Sequence, residues 1–411
     1  MDGILIAIAL LALAIWLFLL GFWGNFWRSD QQIEPDLLQK HPLAAYPSVR
    51  AIVPARNEAD VLPQSLKSLL TQNYPGDFGI ILIDDQSQDG TAAVARSLAI
   101  ELGKELDKEL GKSDRLVIIS GQPLPPGWSG KLWAMEQGIR WLDLQTTPPD
   151  YLWLTDADIK HHPSNLLELV TQSEQNNLDL ASLMVKLRCE SFWERFLIPS
   201  FVFFFEKLYP FPWVNDPQRK NAAAAGGCIL LRRDALERIG GLDAIRQTLI
   251  DDCSLALQIK ATSPLNSSSP KRGIWLGLTQ NVQSLRAYDS LASIWSMVAR
   301  TAYTQLSYSP GLLLGTVVAM TLIYLVAPGA AIAGLIWQNL ALTLLGAATW
   351  VLMAIAYYPT VKLYRQSPLW ALTLPAIAFL YTLMTLDSAW RHWRGQGGHW
   401  KGRVYAIPAE D

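Results

Sequence analysis

Four acidic groups in this chain could do chemistry together. Glu58 lies in "VPARNEADVLPQSLKSLL". Asp84 and Asp85 sit in "IDDQSQDGT", Asp156 and Asp158 in "YLWLTDADIK", and Asp251 and Asp252 in "TLIDDCSLAL". Each group alone has an ordinary reading, because Asp forms turns and caps helices. Asp89 and Ser87, for example, suit the start of a helix near Thr91. As a set they read differently. An acid-x-acid turn can present carboxylates to a hard divalent cation, Mg²⁺ or Mn²⁺, which keeps coordination positions open for phosphate oxygens. A cation there stabilises a diphosphate as a leaving group. A separate carboxylate can then take a proton from an attacking hydroxyl. Asp252 suits that task, since "DD" opens an apolar helical stretch and its first turn projects acids toward a cleft.

Other phosphate and acyl chemistries do not fit. "GWSGK", Gly127–Lys131, resembles half of a P-loop, but Pro125 stands where the upstream glycine belongs. No GxGxxG follows the first strand and no GxSxG elbow occurs.

The elements that must position these acids follow from periodicity. "VRAIVPA", "GIILIDD", "RLVIIS" and "YLWLTDAD" read as strands. "VLPQSLKSLL", "TAAVARSLAIEL" and the stretch carrying Trp133, Ala134 and Ile139 read as the helices between them. Such alternation predicts a parallel sheet with both faces covered and ligands bound beyond the carboxyl ends of its strands. Glu58, Asp85 and Asp158 fall at those ends. The repeat "ELGKELDKELGK", Glu101–Lys112, suits a solvated helix extension. "NSSSPKRG", Asn266–Gly273, reads as a loop. His161 and His162 read as a solvated pair after the acidic turn.

Composition places the chain at a membrane. Of 411 residues 50% are hydrophobic and only 17% are charged. The net charge of -2 gives no electrostatic case for nucleic acid. Cys189, Cys228 and Cys253 form no CxxC, so neither a disulfide framework nor a zinc site is indicated, and a reducing, cytosol-facing compartment fits. Ile4–Leu20 is an uncharged apolar run, followed by Trp23, Phe26, Trp27 and Arg28 as interfacial anchors. Residues 1–28 are thus expected to be a retained transmembrane anchor rather than a cleaved signal. Residues 29–47 read as a linker, 48–288 as the catalytic domain, and 289–310 as an amphipathic interfacial helix whose Leu291–Leu306 stretch holds a single charge, Arg300. Residues 311–390 hold two to three spans, with a break near Pro328–Gly329 or Gln338–Asn339, and 391–411 form a basic, Trp-rich tail. Three spans would put that basic tail outside, against positive-inside bias. Leu369–Leu386, interrupted by Pro375, is therefore the candidate for a re-entrant or interfacial segment.

The acidic motifs, with "AGGCILLRRDALERIGG", come in the order seen in family 2 glycosyltransferases. The chain resembles that family over roughly Val49 to Arg300. The N-terminal helix, "GWSGKLWA" and "WKGRVY" resemble its membrane-bound, hopanoid (hopene)-associated subgroup, and glycosyltransferases acting on ceramide or carotenoids look similar too. The resemblance implies an α/β GT-A domain with N- and C-terminal transmembrane helices. It implies an inverting transfer of one sugar from a nucleotide-sugar donor, a UDP-sugar being commonest, to a lipid hydroxyl such as that of a hopanoid or other polyisoprenoid. Asp85 would hold the nucleotide base, with the loop from Pro54 through Arg56 to Glu58 lining its pocket. Lys131 would contact the donor. Asp156 and Asp158 match the DxD motif, with Asp158 the direct metal ligand. Gly226 and Gly227 match the turn beside the acceptor, and Asp252 matches the catalytic base, preceded by Asp251 where the family has Glu. Arg300 could face the leaving diphosphate. Met297 and Thr301 stand where the Gln and Trp of a processive synthase's QxxRW belong, which favours single transfer over the alternative of a polysaccharide synthase. A non-catalytic scaffold predicts gaps in the acidic set, which is complete. A transporter predicts polar residues along the spans, which are few. The expected location is a bacterial-type cytoplasmic membrane with the domain facing the cytoplasm. Oligomeric state is not legible.

Overall fold

The computed structural model describes residues 2–34, 37–40, 42–110, 115–263, 272–395, 399–400 and 403–404. An eight-stranded sheet organises the domain, in the order β3-β2-β1-β4-β7-β6-β8-β5. The strands are β1 (Val49–Ala55), β2 (Phe78–Asp84), β3 (Leu116–Ser120), β4 (Tyr151–Thr155), β5 (Ile159–His161), β6 (Leu178–Lys186), β7 (Cys228–Arg232) and β8 (Gly273–Ser284).

Period-two alternation builds the two faces. Val49, Ala51 and Val53 of β1, with Phe78, Ile80 and Leu82 of β2, pack on one side against Leu62, Leu66 and Leu69 of the helix Leu62–Leu70. Ile52, Ile81, Ile83, Leu152 and Leu154 point the other way, onto Leu132, Met135 and Ile139 of the helix Gly130–Asp143. That second core continues without a break into Trp16, Leu19, Tyr324 and Tyr357 of the long apolar helices. The domain and the apolar helices therefore share one hydrophobic interior.

The sheet is mixed, which corrects the expectation of a parallel one. β1 to β4 are mutually parallel, but β7 runs antiparallel between β4 and β6, with Thr155 opposite Cys228. Hydrophobic alternation does not encode strand direction. The consequence is functional. The carboxyl ends of β1, β2 and β4 share an edge with the start of β7, so Glu58, Asp85, Asp156 and Gly226 converge there. β8 ends beside β5, with Ser284 opposite Ile159, which brings residues 285–288 to the same edge.

The histidine pair also needs correction. β5 alternates buried, exposed, buried, so His161 turns inward while His162 stays in solvent. The His161 ring packs against Trp153 and bonds Thr155 Oγ1 at 2.9 Å. Burial holds its pKa down at about 3, so it is a neutral core residue.

Among the described residues four helices are long and apolar enough to cross a membrane: Gly3–Phe22, Pro310–Ile336, Leu340–Leu363 and Pro368–Trp393. The break between the second and third falls at Gln338–Asn339, where Asn339 caps Leu342. Pro328 lies within a helix and is preceded by a π turn, Thr321–Leu325. In an i+5 register the Ile323 carbonyl would look to the N–H of residue 328, which proline lacks. Trp16 Nε1 donates to that carbonyl at 2.7 Å and ties the N-terminal helix to the second. The segment Leu291–Leu306 is not one helix: it is helical over Leu291–Ala299, and a separate 3₁₀ turn follows at Thr304–Leu306. The helix Pro368–Trp393 touches the domain through Trp370 against Phe192 and Phe196, and touches the helix Leu291–Ala299 through Asp387, which accepts from Trp295 Nε1 at 2.7 Å. The acidic-basic repeat runs along the helix Thr91–Leu110, but its side chains from residue 102 and residues 111–112 lie outside the described residues. So do residues 266–271 of the Asn266–Gly273 loop and most of the tail beyond 395.

Candidate functional site

Lys131 is the hub of the cleft. Ser129 caps the helix Gly130–Asp143, placing Lys131 in its first turn, where the side chain reaches over the sheet edge. Its Nζ lies 2.7 Å from Asp156 Oδ1 and 3.7 Å from Asp251 Oδ2. Burial pulls its pKa down, but the charges of Asp156, Asp251 and Asp252 outweigh burial and hold the amine protonated, above its usual range.

Asp251 and Asp252 open the helix Asp251–Thr262, at the end where the helix dipole favours anions. Asp252 is held by two backbone donors: Oδ2 accepts from Gly226 N–H at 2.8 Å and Oδ1 from Cys253 N–H at 2.8 Å. Burial and the Asp251 charge raise its pKa to about 6, against the pull of Lys131. A carboxylate tuned there is ionised at neutral pH yet basic enough to accept a proton. Gly226 must stay small. A Cβ on it would stand 3.2 Å from Lys131 Nζ and 3.3 Å from Asp252 Oδ2. Leu132, Met135 and Leu242 line the apolar side of the cavity under these groups.

A second charged group stands beside the first. Arg286 Nε donates to Asp158 Oδ2 at 2.8 Å and its Nη2 to Glu58 Oε1 at 2.8 Å. Nothing in the motifs flagged Arg286; the signal was its place in "SLRAYDS", directly after the last strand. Tyr288 follows it, with its pKa raised chiefly by burial and close enough to feel Arg286, Asp158 and Arg300.

At the third corner Asp85 is fully buried, its N–H donating to the Ala55 carbonyl at 2.8 Å. Arg56 Nη1 donates to the Asp85 carbonyl at 2.6 Å and lies 3.7 Å from its carboxylate. The two loops are stitched together by Asn57, Ser87 and Asp89, and Asp89 also caps Thr91.

Two expected site residues sit apart, and a third, Arg300, lies at the margin near Tyr288. Pro54 is buried in β1 opposite Ile83. A side chain on Gly227 would meet Val185 at 2.8 Å rather than Asp252, so this glycine serves packing. Arg300 is exposed at the end of its helix.

Residues 51–240 match the glycosyl transferase family 2 domain. Over these residues, a little under half of the chain, the sequence is similar to family 2 glycosyltransferases. The match takes in Glu58, Asp85, Lys131, Asp156, Asp158 and Gly226, and Asp252 and Arg286 lie beyond it. The chain is 31% identical over 126 residues to a 4,4'-diaponeurosporenoate glycosyltransferase from Staphylococcus haemolyticus. That match covers 31% of this chain and 28% of the relative, so less than a third of its length is spanned. The fold is also that of a mannosyltransferase from Pyrobaculum calidifontis solved with GDP-Man and Mn²⁺. The TM-score is 0.54 at 19% identity, covering 93% of this chain and 99% of the other. The chain therefore has the α/β GT-A fold, elaborated by apolar helices.

A divalent cation fits the donor set of this cleft. Asp156 and Asp158 offer only hard oxygen atoms, and each already faces a positive group, Lys131 or Arg286. Among the described residues no three His, Cys, Asp or Glu side chains gather closely enough to cage an ion. An ion here would thus be held by one or two carboxylates, with water and phosphate oxygens completing its shell, which is the habit of Mg²⁺.

Proposed function

We propose that this glycosyltransferase moves one sugar from a nucleotide-sugar donor, of the UDP-sugar class, to a hydroxyl of a lipid acceptor in a single inverting displacement. The observation that carries the reading is Asp252. It is oriented by Gly226 N–H, tuned to about 6, and set beside the Lys131–Asp156 pair that would receive a diphosphate. Asp85 and Arg56 hold the nucleotide end of the donor. Lys131 gives positive charge to the leaving diphosphate. A Mg²⁺ or Mn²⁺ held by Asp156 and Asp158 would neutralise developing phosphate charge. As the acceptor oxygen bonds to the anomeric carbon and the bond to phosphate breaks, the hydroxyl proton passes to Asp252. No second carboxylate is needed as an acid, because a nucleoside diphosphate departs as an anion.

The shared hydrophobic interior of domain and apolar helices supports a lipid acceptor, since the cleft rests on the core that continues into them. The Staphylococcus relative, named for a diaponeurosporenoate acceptor, agrees with that class, and a hopanoid or similar polyisoprenoid belongs to it. We read the chain as an integral protein of the cytoplasmic membrane with the catalytic domain on the cytoplasmic side. The helix Pro368–Trp393, in contact with the domain near its start and with the helix Leu291–Ala299 near its end, lies along the interface in this reading, which returns the basic tail to that side. Met297 and Thr301 in place of a QxxRW Gln and Trp support single transfer. The test is to incubate membranes containing the chain with a panel of labelled nucleotide sugars and weigh the extracted lipids. One added sugar per lipid is expected. A ladder of longer products would mean a polysaccharide synthase, and no product with any donor would mean a scaffold.

A further inference from the structure

We propose that Arg286 is the donor site's resident counter-ion: its guanidinium takes the cation position at Asp158 and Glu58 and must release Asp158 before a divalent ion can bind there. This rests on the reading of the cleft as a metal-assisted donor site. The two carboxylates are almost wholly buried, with side chains 9% and 10% exposed, whereas Arg286 is 36% exposed. Buried carboxylates so close together need a positive partner. One arginine serves both because its fork spans them, Nε to Asp158 and Nη2 to Glu58. The base is the more accessible partner. Leu285 N–H donates to the Asp158 backbone carbonyl at 2.8 Å and joins the loop after β8 to the acidic turn, and the Arg286 side chain on that loop is the most exposed of the three. Asp156 is different, for its partner Lys131 is shared with Asp251 and anchored in a helix.

The arrangement couples the ion to the donor. Without a diphosphate to receive it, the guanidinium stays on Asp158 and competes with the ion. With a diphosphate present, the guanidinium has a new anionic partner, and Asp158 becomes available.

Mn²⁺ binding to the full chain in detergent, followed by electron paramagnetic resonance with no nucleotide added, tests this directly. Arg286→Gln should bind Mn²⁺ at least about ten-fold more tightly than the natural protein, because two carboxylates lose their neutralising charge. Arg286→Lys, which reaches only one of them, should show a smaller gain in the same direction. Adding Asp158→Asn to Arg286→Gln should abolish the gain. Mn²⁺ affinity in Arg286→Gln equal to or below that of the natural protein overturns the proposal. If that variant does not fold, unchanged affinity in Arg286→Lys does so. Since no donor is present, the result is independent of whether any nucleotide sugar binds.

Discussion

Replacing Lys131 with Met should move the acid limb of the pH–rate profile upward, and the size of the move can be worked from the cleft. Asp252 must be ionised to take the acceptor's proton, so activity falls as pH drops through its pKa of about 6. Burial and Asp251 push that pKa up, Lys131 pulls it down, and Cys253 and Tyr209 also face the group. A Cβ on Gly226 would lie 3.2 Å from Lys131 Nζ and 3.3 Å from Asp252 Oδ2. The two charges are therefore no more than about 6.5 Å apart, an attraction of about 2.5 kcal/mol at an effective dielectric of about 20. That equals roughly two pH units, and solvent at the cleft mouth reduces it to roughly one to two. Without the amine the Asp252 pKa rises, so the acid limb shifts from about pH 6 to roughly pH 7–8. The assay is sugar transfer to the lipid acceptor across pH 5 to 9, fitted for the limb's midpoint separately from its plateau. The plateau should also drop, because the proposed mechanism sets Lys131 against the diphosphate, but the midpoint is independent of that loss. An unmoved midpoint, or one moved to lower pH, refutes the claim that Lys131 sets the basicity of Asp252.

Two further substitutions probe close contacts. Gly226→Ala forces Lys131 and Asp252 each to give by a few tenths of an ångström, so transfer should fall roughly ten-fold with the thermal midpoint unchanged, as seen by kinetics beside a melting curve. Gly346→Leu should lower the thermal midpoint by several degrees in detergent, because any side chain there strikes the backbone at Ala327 and Ala331 and separates the second and third apolar helices.

Much of the positional logic was legible in the sequence. β1, β2 and β4 stand out because their apolar runs end at or just before acids, and those acids do meet at one edge. β6, β7 and β8 are less visible, since "LDLASLMVK", "CILLR" and "GIWLGLTQNVQS" lie among equally apolar helices and their direction leaves no trace in composition. Counter-charges were the hidden part. Arg286 and Asp158 are 128 residues apart, and only the pairing of β5 with β8 brings them together. Lys131 was legible from "GWSGK", but its role as the hub between Asp156 and Asp251 was not. His161 misled because a three-residue strand buries its first and third positions, and polarity alone does not reveal so short a strand. Gly227 misled because two adjacent glycines look equivalent in sequence, whereas one faces Asp252 and the other faces Val185.

The central claim is that Asp252 is the base for sugar transfer, and Asp252→Asn tests it most directly. The amide oxygen can still accept the Gly226 N–H, the basic group is lost, and the bond from Cys253 N–H is given up, so a melting curve is run beside the assay. Transfer and donor affinity should be measured side by side, with the nucleotide sugar that the labelled panel identifies. The account predicts a loss of transfer of roughly 10²–10⁴-fold with donor affinity unchanged. Transfer preserved within a few-fold, or lost in step with donor binding, would contradict it.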